Sequence, residues 1–250
     1  LLGTGTSQGV PVIGCKCDTC ISTDPRDQRL RSGVLVEHQD TNLLIDTGPD
    51  LRQQMLAHHV EKVDAVLYTH EHNDHVIGLD DIRPFNFSQK VDMPLYAQPR
   101  VGKDLKLRFD YVFREASYPG APRAVLHQIE NYVEFDVMGV QILPIPIMHG
   151  QLPILSYRIK DFVFMTDVSH IPDSSLSHLE DIEVLVISAL HKKKHHSHLS
   201  LAEALEMIDL LKPQKAYITH LSHRMGPTQE WSAALPDNVR PAYDGLQIDI

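Results

Sequence analysis

The stretch YTHEHNDHVIGLDD, residues 68–81, sets three histidines and two acids between His70 and His75. Imidazole and carboxylate at this density are the donors of a divalent-metal site. In an extended segment residues two apart point the same way, so His70 and His72 can grip one ion. Asp74 and His75 follow as the chain turns into a helix and can face a second. Three further donors come directly after apolar runs, as His70 does after AVLYT: His149 after ILPIPIM, Asp167 after FVFMT, and His220 after KAYIT. His149 added to the first pair and His220 to the second give each ion three protein ligands, with Asp167 able to bridge the two. A site of this kind keeps positions open for water, the mark of a catalytic rather than a structural centre.

Donors that recur at strand ends need a sheet to position them, because loops leave an α/β sheet at the carboxyl ends while their first residues stay rigid. SGVLVEHQ and TNLLIDTG, with turn residues Asp40 and Asn42 between their apolar runs, predict a hairpin. VDAVLYT, VQILPIPIM, DFVFMTD, IEVLVISAL and QKAYITH read as strands, the prolines of the second placing it at a sheet edge. HVIGLDDIRPF starts a short helix, and SLAEALEMIDLL is a helix ended by Pro213. The opening LLGTGTSQGVPVIG lacks the Gly-Lys-Ser/Thr ending of a phosphate loop and reads as a turn between strands. Hairpins first and strand–helix alternation later predict a mixed α/β fold. Residues 88–133 mix helix-like and loop-like pieces and are expected to cover the site or mediate contacts.

Hydrophobic residues make up 42% of the 250, ordinary for a globular protein, and no apolar run is long enough to span a membrane. The chain starts at Leu1, already within a strand pattern and without a charged-then-apolar leader, so a few upstream residues are expected to be missing. The formal charge of -10 argues against a nucleic-acid partner, though bound metal can supply the positive charge a phosphate needs. All three cysteines, Cys15, Cys17 and Cys20, fall in CKCDTC. An odd, tight cluster is a poor disulfide framework and reads as a metal clip in a reducing compartment, so a cytoplasmic location is expected.

H-x-H-x-D-H followed by Gly78-Leu79, with His, Asp and His at later strand ends, resembles the metallo-β-lactamase superfamily from LIDTG through ITHLSHR. The resemblance implies an αββα sandwich of two mixed β-sheets flanked by helices, a single domain over residues 1–250, and Asp46 as an aspartate orienting a metal-bound histidine. Three thiolates need a fourth ligand to close a tetrahedral zinc site, and THLSHR offers His223. That pairing resembles the cyclic phosphodiesterases of the phosphonate-degradation branch, which open 5-phosphoribosyl 1,2-cyclic phosphate. A cofactor-biosynthesis branch shares the opening, so the clip alone does not select the substrate. In the phosphodiesterase branches a histidine just before a helix acts as acid or phosphate contact. His198, in HHSHLSLAEAL, matches that place better than His195 or His196, although HKKKHHSH is shorter and more basic than the family pattern.

The resemblance therefore implies a dinuclear phosphodiesterase in which a metal-bridging hydroxide attacks a small, cyclic phosphodiester. Two active-site ions (zinc, manganese or iron) and one structural zinc are its cofactors, and a homodimer matches family practice. Rival readings are an endonuclease of the tRNA 3′-processing type, a glyoxalase-type thioesterase, and a metal-binding scaffold without activity. The first lacks its His-Glu-Ala-Thr motif here, the second does not carry a cysteine clip, and the third is opposed by a complete ligand set. His58, His59, His127 and His170 read as structural or surface residues, and Lys192–Lys194 as a solvated turn.

Overall fold

The structure, a computed structural model, describes residues 1–114 and 118–250. Its first sheet holds β1 (Val34–His38), β2 (Thr41–Ile45), β3 (Ala65–Leu67), β4 (Met93–Ala97) and β5 (Ala124–Gln128) in that spatial order. β1 and β2 form the antiparallel hairpin, and the remaining pairs are parallel. The second sheet runs β12 (Val239–Pro241), β11 (Lys215–Thr219), β10 (Val184–Ser188), β9 (Phe162–Met165), β8 (Leu152–Ile159), β7 (Val140–His149), β6 (Phe135–Val137). It is antiparallel from β6 to β9 and parallel from β9 to β12.

Alternation along each strand builds the layers. In β2, Leu43 and Ile45 face the other sheet, while Leu44 turns outward; in β10, Val184 and Val186 face inward and Leu185 and Ile187 outward. Outward residues of the first sheet pack under α1 (Leu51–Ala57), α3 (Arg83–Gln89) and α4 (Pro99–Arg108) through Met55, Phe85, Val101 and Leu105. Those of the second pack under α7 (Leu201–Leu211) through Ala204 and Ile208. Both faces of each sheet are thus covered, which explains the nearly unbroken apolar runs. Each fully buried Leu, Ile or Val contributes roughly 1.5–3 kcal/mol. The molecule is the αββα sandwich of two mixed sheets.

Three local expectations can be compared with these elements. α7 starts at a capping box between Ser200 and Glu203 and ends at Lys212 in the left-handed conformation, just before Pro213. β7 is an inner strand in the sheet order, not the expected edge, but β6 pairs with it only as far as Ile142. Beyond that, the Tyr132 N–H and the Ser175 hydroxyl reach the carbonyls of Pro144 and Pro146, and no strand among the described residues needs their missing N–H. Past β11 the chain adds the short edge strand β12. Of segment 88–133, residues 115–117 lie outside the described residues, and the rest supplies β4, β5 and α4. No helix among the described residues is long and apolar enough to cross a membrane.

Candidate metal centre

β2, β3, β7, β9 and β11 all deliver their carboxyl ends to one rim of the sandwich, and the predicted donors meet there. His70, His72 and His149 form one group and Asp74, His75 and His220 another, with the donor atoms of each group within 4.8 Å of one another. Asp167 belongs to two further groups of the same kind, one with His70 and His75 and one with His149 and His198. Its Oδ2 lies 3.2 Å from His75 Nε2 and its Oδ1 3.2 Å from His220 Nε2. Asp74 Oδ2 sits 3.3 Å from His75 Nε2 and 3.9 Å from His220 Nε2. All seven residues read as ligands from the sequence are brought together.

The fit to metal ions can be tested on the hydrogen bonds. Buried polar atoms are almost always paired, yet His70 Nε2, His75 Nε2 and both ring nitrogens of His220 are buried without a hydrogen-bond partner. The Nε2 atoms of His75 and His220 face Asp74 and Asp167, and unpaired Nε2 atoms beside carboxylates are what two divalent ions would satisfy. The donor set fits such ions.

The opposite nitrogens are held. Asp46 Oδ2 accepts from His75 Nδ1 at 2.7 Å and from the Thr69 hydroxyl at 2.8 Å, while Asp46 Oδ1 accepts from the Thr69 N–H at 2.8 Å. The same hydroxyl lies 2.9 Å from His70 Nδ1 and, donating to Asp46, accepts from that ring. One carboxylate thus orients His75 directly and His70 through Thr69, turning both Nε2 atoms to the centre. Asp46, expected to orient a metal-bound histidine, bonds His75. Thr69 was missed by the sequence reading. His149 Nδ1 donates to Ser197 O at 2.7 Å.

The backbone bends sharply to achieve this. Asp46, Asp167 and His220, each directly past or one residue beyond a strand, have φ of 65°, 56° and 56°, left-handed values that non-glycine residues adopt at a cost. Gly48 and Gly78 let two loops touch: a Cβ on Gly78 would lie 2.1 Å from Gly48 O. The glycine after LIDT and the one in HVIGL therefore face each other.

Burial works to deprotonate His75, but the carboxylates of Asp74, Asp167 and Asp46 outweigh it and hold its pKa well above the ordinary value. For Asp74 and Asp167 burial favours the neutral acid, yet the surrounding imidazoles, His75 for the former and His220 with His75 for the latter, hold both below the usual carboxylate range. Burial, with His75 beside it, lowers His70 well below its ordinary value, leaving it neutral. His198 is pushed down to about 3 by burial and His220. Its ring lies 4.6 Å from His149 and 5.2 Å from His220, and its Nδ1 is 3.8 Å from Asp167 Oδ1. His195 stands one ring further out, 5.3 Å from His198, and His196 is exposed. His58, His59, His127 and His170 are exposed, and so are Lys192–Lys194.

On the neighbouring rim Cys15, Cys17 and Cys20 are free thiols whose Sγ atoms lie 3.2, 3.4 and 3.5 Å from His223 Nδ1. Burial pushes Cys20 up to about 11. At Cys17 burial acts the same way, but hydrogen bonds from the Cys20 backbone, the Cys15 thiol and His223 bring it down to about 6, the thiolate a zinc ligand requires.

Residues 41–221 match the Beta-lactamase superfamily domain. This chain belongs to the beta-lactamase superfamily. Its αββα fold and its His/Asp donor set are those of the metallo-β-lactamase kind. It is 38% identical to a solved diphosphatase of the PhnP family, with a TM-score of 0.92 over 98% of this chain and 93% of that one. It is 39% identical over 249 residues to the octanoyltransferase of Porphyromonas gingivalis W83, covering 99% of this chain but only 50% of that protein. A probable metallo-hydrolase of Bacillus subtilis, YhfI, is 25% identical over 86% of this chain and 87% of its own length.

Proposed function

We propose that residues 1–250 act as one hydrolase domain, a two-metal phosphodiesterase cleaving a small phosphodiester, cyclic by preference. The observation that carries this is Asp167 set between two three-donor groups whose buried histidine nitrogens lack partners. His70, His72 and His149 would hold one ion, Asp74, His75 and His220 the other, with Asp167 shared. Zinc, manganese and iron suit these donors. Such ions supply an acidified water and neutralise the non-bridging phosphate oxygens. In a chain of charge -10 they also give an anionic substrate its local attraction. Cys15, Cys17, Cys20 and His223 would hold a structural zinc that pins the N-terminal loop to the segment after β11.

The chain's own groups do the rest. Asp46 and Thr69 fix the rings of His75 and His70. His198, held neutral at ordinary pH by burial and His220, carries a single ring proton. Its Nδ1 lies 3.8 Å from Asp167 Oδ1 and makes no hydrogen bond among the described residues, so we place that proton on Nε2, from which it would be donated to the departing oxygen. A cyclic ester suits this arrangement, since its leaving group stays tethered. Likeness to the PhnP-family diphosphatase favours a second reading, a P–O–P anhydride as the bond cleaved. The partner is a small phosphate ester rather than a nucleic acid, the clip's free thiols suit the cytoplasm, and a homodimer is the proposed assembly.

Elemental analysis beside turnover of a cyclic ribose phosphate, bis(p-nitrophenyl) phosphate and a dinucleoside diphosphate tests the proposal. About three ions per chain with turnover of the cyclic ester is the expected result. Turnover of the diphosphate alone would select the second reading. Fewer than two ions outside the clip in freshly purified protein would refute the mechanism.

A further inference from the structure

The residues interleaved with the donors of the metal-binding loop, Glu71 and Asn73, meet helix α4. Arg100 Nη1 donates to Glu71 Oε1 at 2.8 Å, its Nη2 donates to Pro153 O at 2.7 Å, and Arg108 donates to Asn73 Oδ1. Arg108 is itself braced by Asp104 at 2.7 Å. Pro153 lies opposite Met148, one step from the His149–Leu152 pair that closes the β7–β8 hairpin. One guanidinium therefore joins the loop carrying His70 and His72 to the hairpin carrying His149.

Of the three donors in that group, His70 is held by Thr69 and His149 by Ser197, whereas the His72 ring makes no hydrogen bond among the described residues. His72 is exposed and precedes the four-residue helix α2 (Asn73–Val76), so its place depends on where the loop backbone is held. The anchor is firm. Val101 and Leu105 bury α4 in the layer outside the first sheet, and Gly102 lies so close to β5 that a Cβ would come within 2.6 Å of Leu126 Cδ2. Glu71 Oε2 is buried and unpaired, which leaves Arg100 as the cation compensating this carboxylate.

We infer that Arg100 is a positioning residue of the metal centre: by clamping Glu71 and Pro153 to one planar fork, it sets the spacing of His72 and His149. The inference rests on the two-metal reading and deepens it. Only a bidentate, rigid cation meets two acceptors on different elements at once, so lysine is a partial substitute.

The test is zinc titration of chelator-stripped protein against a chelating indicator, for wild type, Arg100→Met, Arg100→Lys and Glu71→Gln, with melting of the metal-free forms alongside. Arg123→Met, which removes a surface pair with Asp92, is the control. Arg100→Met is expected to weaken one of the two centre ions about 10–100-fold and spare the other, as loss of a ligand-orienting partner does. Arg100→Lys should recover part of the loss. Glu71→Gln, which leaves α4 intact, should shift the same ion in the same direction even where Arg100→Met folds poorly. Two ions at wild-type affinity in Arg100→Met and Glu71→Gln would overturn the inference alone, as would equal weakening of both ions with a matching fall in metal-free melting temperature. A wild type binding fewer than two centre ions would overturn the two-metal reading, and this inference with it.

Discussion

Asp46→Asn is the sharpest probe of how the two metal groups are coupled. Asp46 is 1% exposed and accepts three hydrogen bonds, from the Thr69 N–H on Oδ1 and from the Thr69 hydroxyl and His75 Nδ1 on Oδ2. An amide has the same shape but only one accepting oxygen. With that oxygen in the Oδ2 position, the Thr69 N–H faces an NH2 group. In the flipped orientation, His75 Nδ1–H faces it instead. Either orientation opposes two buried donors, which costs about 1–3 kcal/mol. Loss of such a ligand-orienting partner typically weakens metal binding about 10–100-fold, or roughly 1.4–2.8 kcal/mol. Because Asp46 holds His75 directly and His70 through Thr69, both ions should weaken. Thr69→Val cuts only the His70 branch and preserves the 2.7 Å bond to His75, so it should weaken one ion. Competition with a metal indicator resolves the two binding steps. Wild-type affinities in Asp46→Asn, or equal loss of both ions in Thr69→Val, would refute the relay.

Two further outcomes follow from the remaining groups. Cys17→Ser should remove one zinc per chain and leave the centre's ions in place; each kcal/mol of stability lost lowers the melting temperature by about 2–4 °C in a chain of this size. Elemental analysis with calorimetry checks this, and an unchanged zinc count would dismiss the clip. His198→Gln should slow hydrolysis of an alkyl or ribosyl ester about 10²–10⁴-fold while barely affecting bis(p-nitrophenyl) phosphate, whose leaving group needs little assistance. Equal losses on both esters would remove His198 from the leaving-group role.

The centre was legible because its signal is local and repeated. At AVLYT-His70, ILPIPIM-His149, FVFMT-Asp167 and KAYIT-His220 an apolar strand runs into a donor, and sheet geometry gathers such ends on one rim. The hairpin of β1 and β2 and the helix α7 were visible for similar reasons, through turn residues and through apolar residues at helical spacing ended by Pro213. Thr69 and Arg100 were not. Their roles depend on contacts between elements far apart in the chain, and a threonine or an arginine carries no periodic signal. Residues 88–133 were hard to read because α4 is half charged: its buried stripe is Val101, Gly102 and Leu105, while its arginines turn towards the metal-binding loop. β12 is only three residues long, too short for alternation to show.

Three of the residues that build the centre, Asp46, Asp167 and His220, hold left-handed backbone conformations, each worth of order 1–3 kcal/mol of strain. Around them the fold buries the carboxylates of Asp46 and Asp167, half-buries that of Asp74, and leaves four histidine nitrogens of His70, His75 and His220 unpaired. In the metal-free chain the cation that His75 retains offsets part of this, since its three carboxylate neighbours keep it protonated beyond its ordinary range. Two divalent ions would satisfy the Nε2 atoms of His70, His75 and His220 and the carboxylates together, so ion binding and completion of the fold at this rim are one process. The strain is confined to residues just past the strands, where the ladder bonds of two covered sheets can hold it. A surface loop with the same seven side chains would relax instead. The αββα sandwich therefore serves the site chiefly as a rigid frame: strand ends carry His149, Asp167 and His220, Asp46 past β2 holds His75 on α2, and helix α4 lies against the loop that carries the exposed His72.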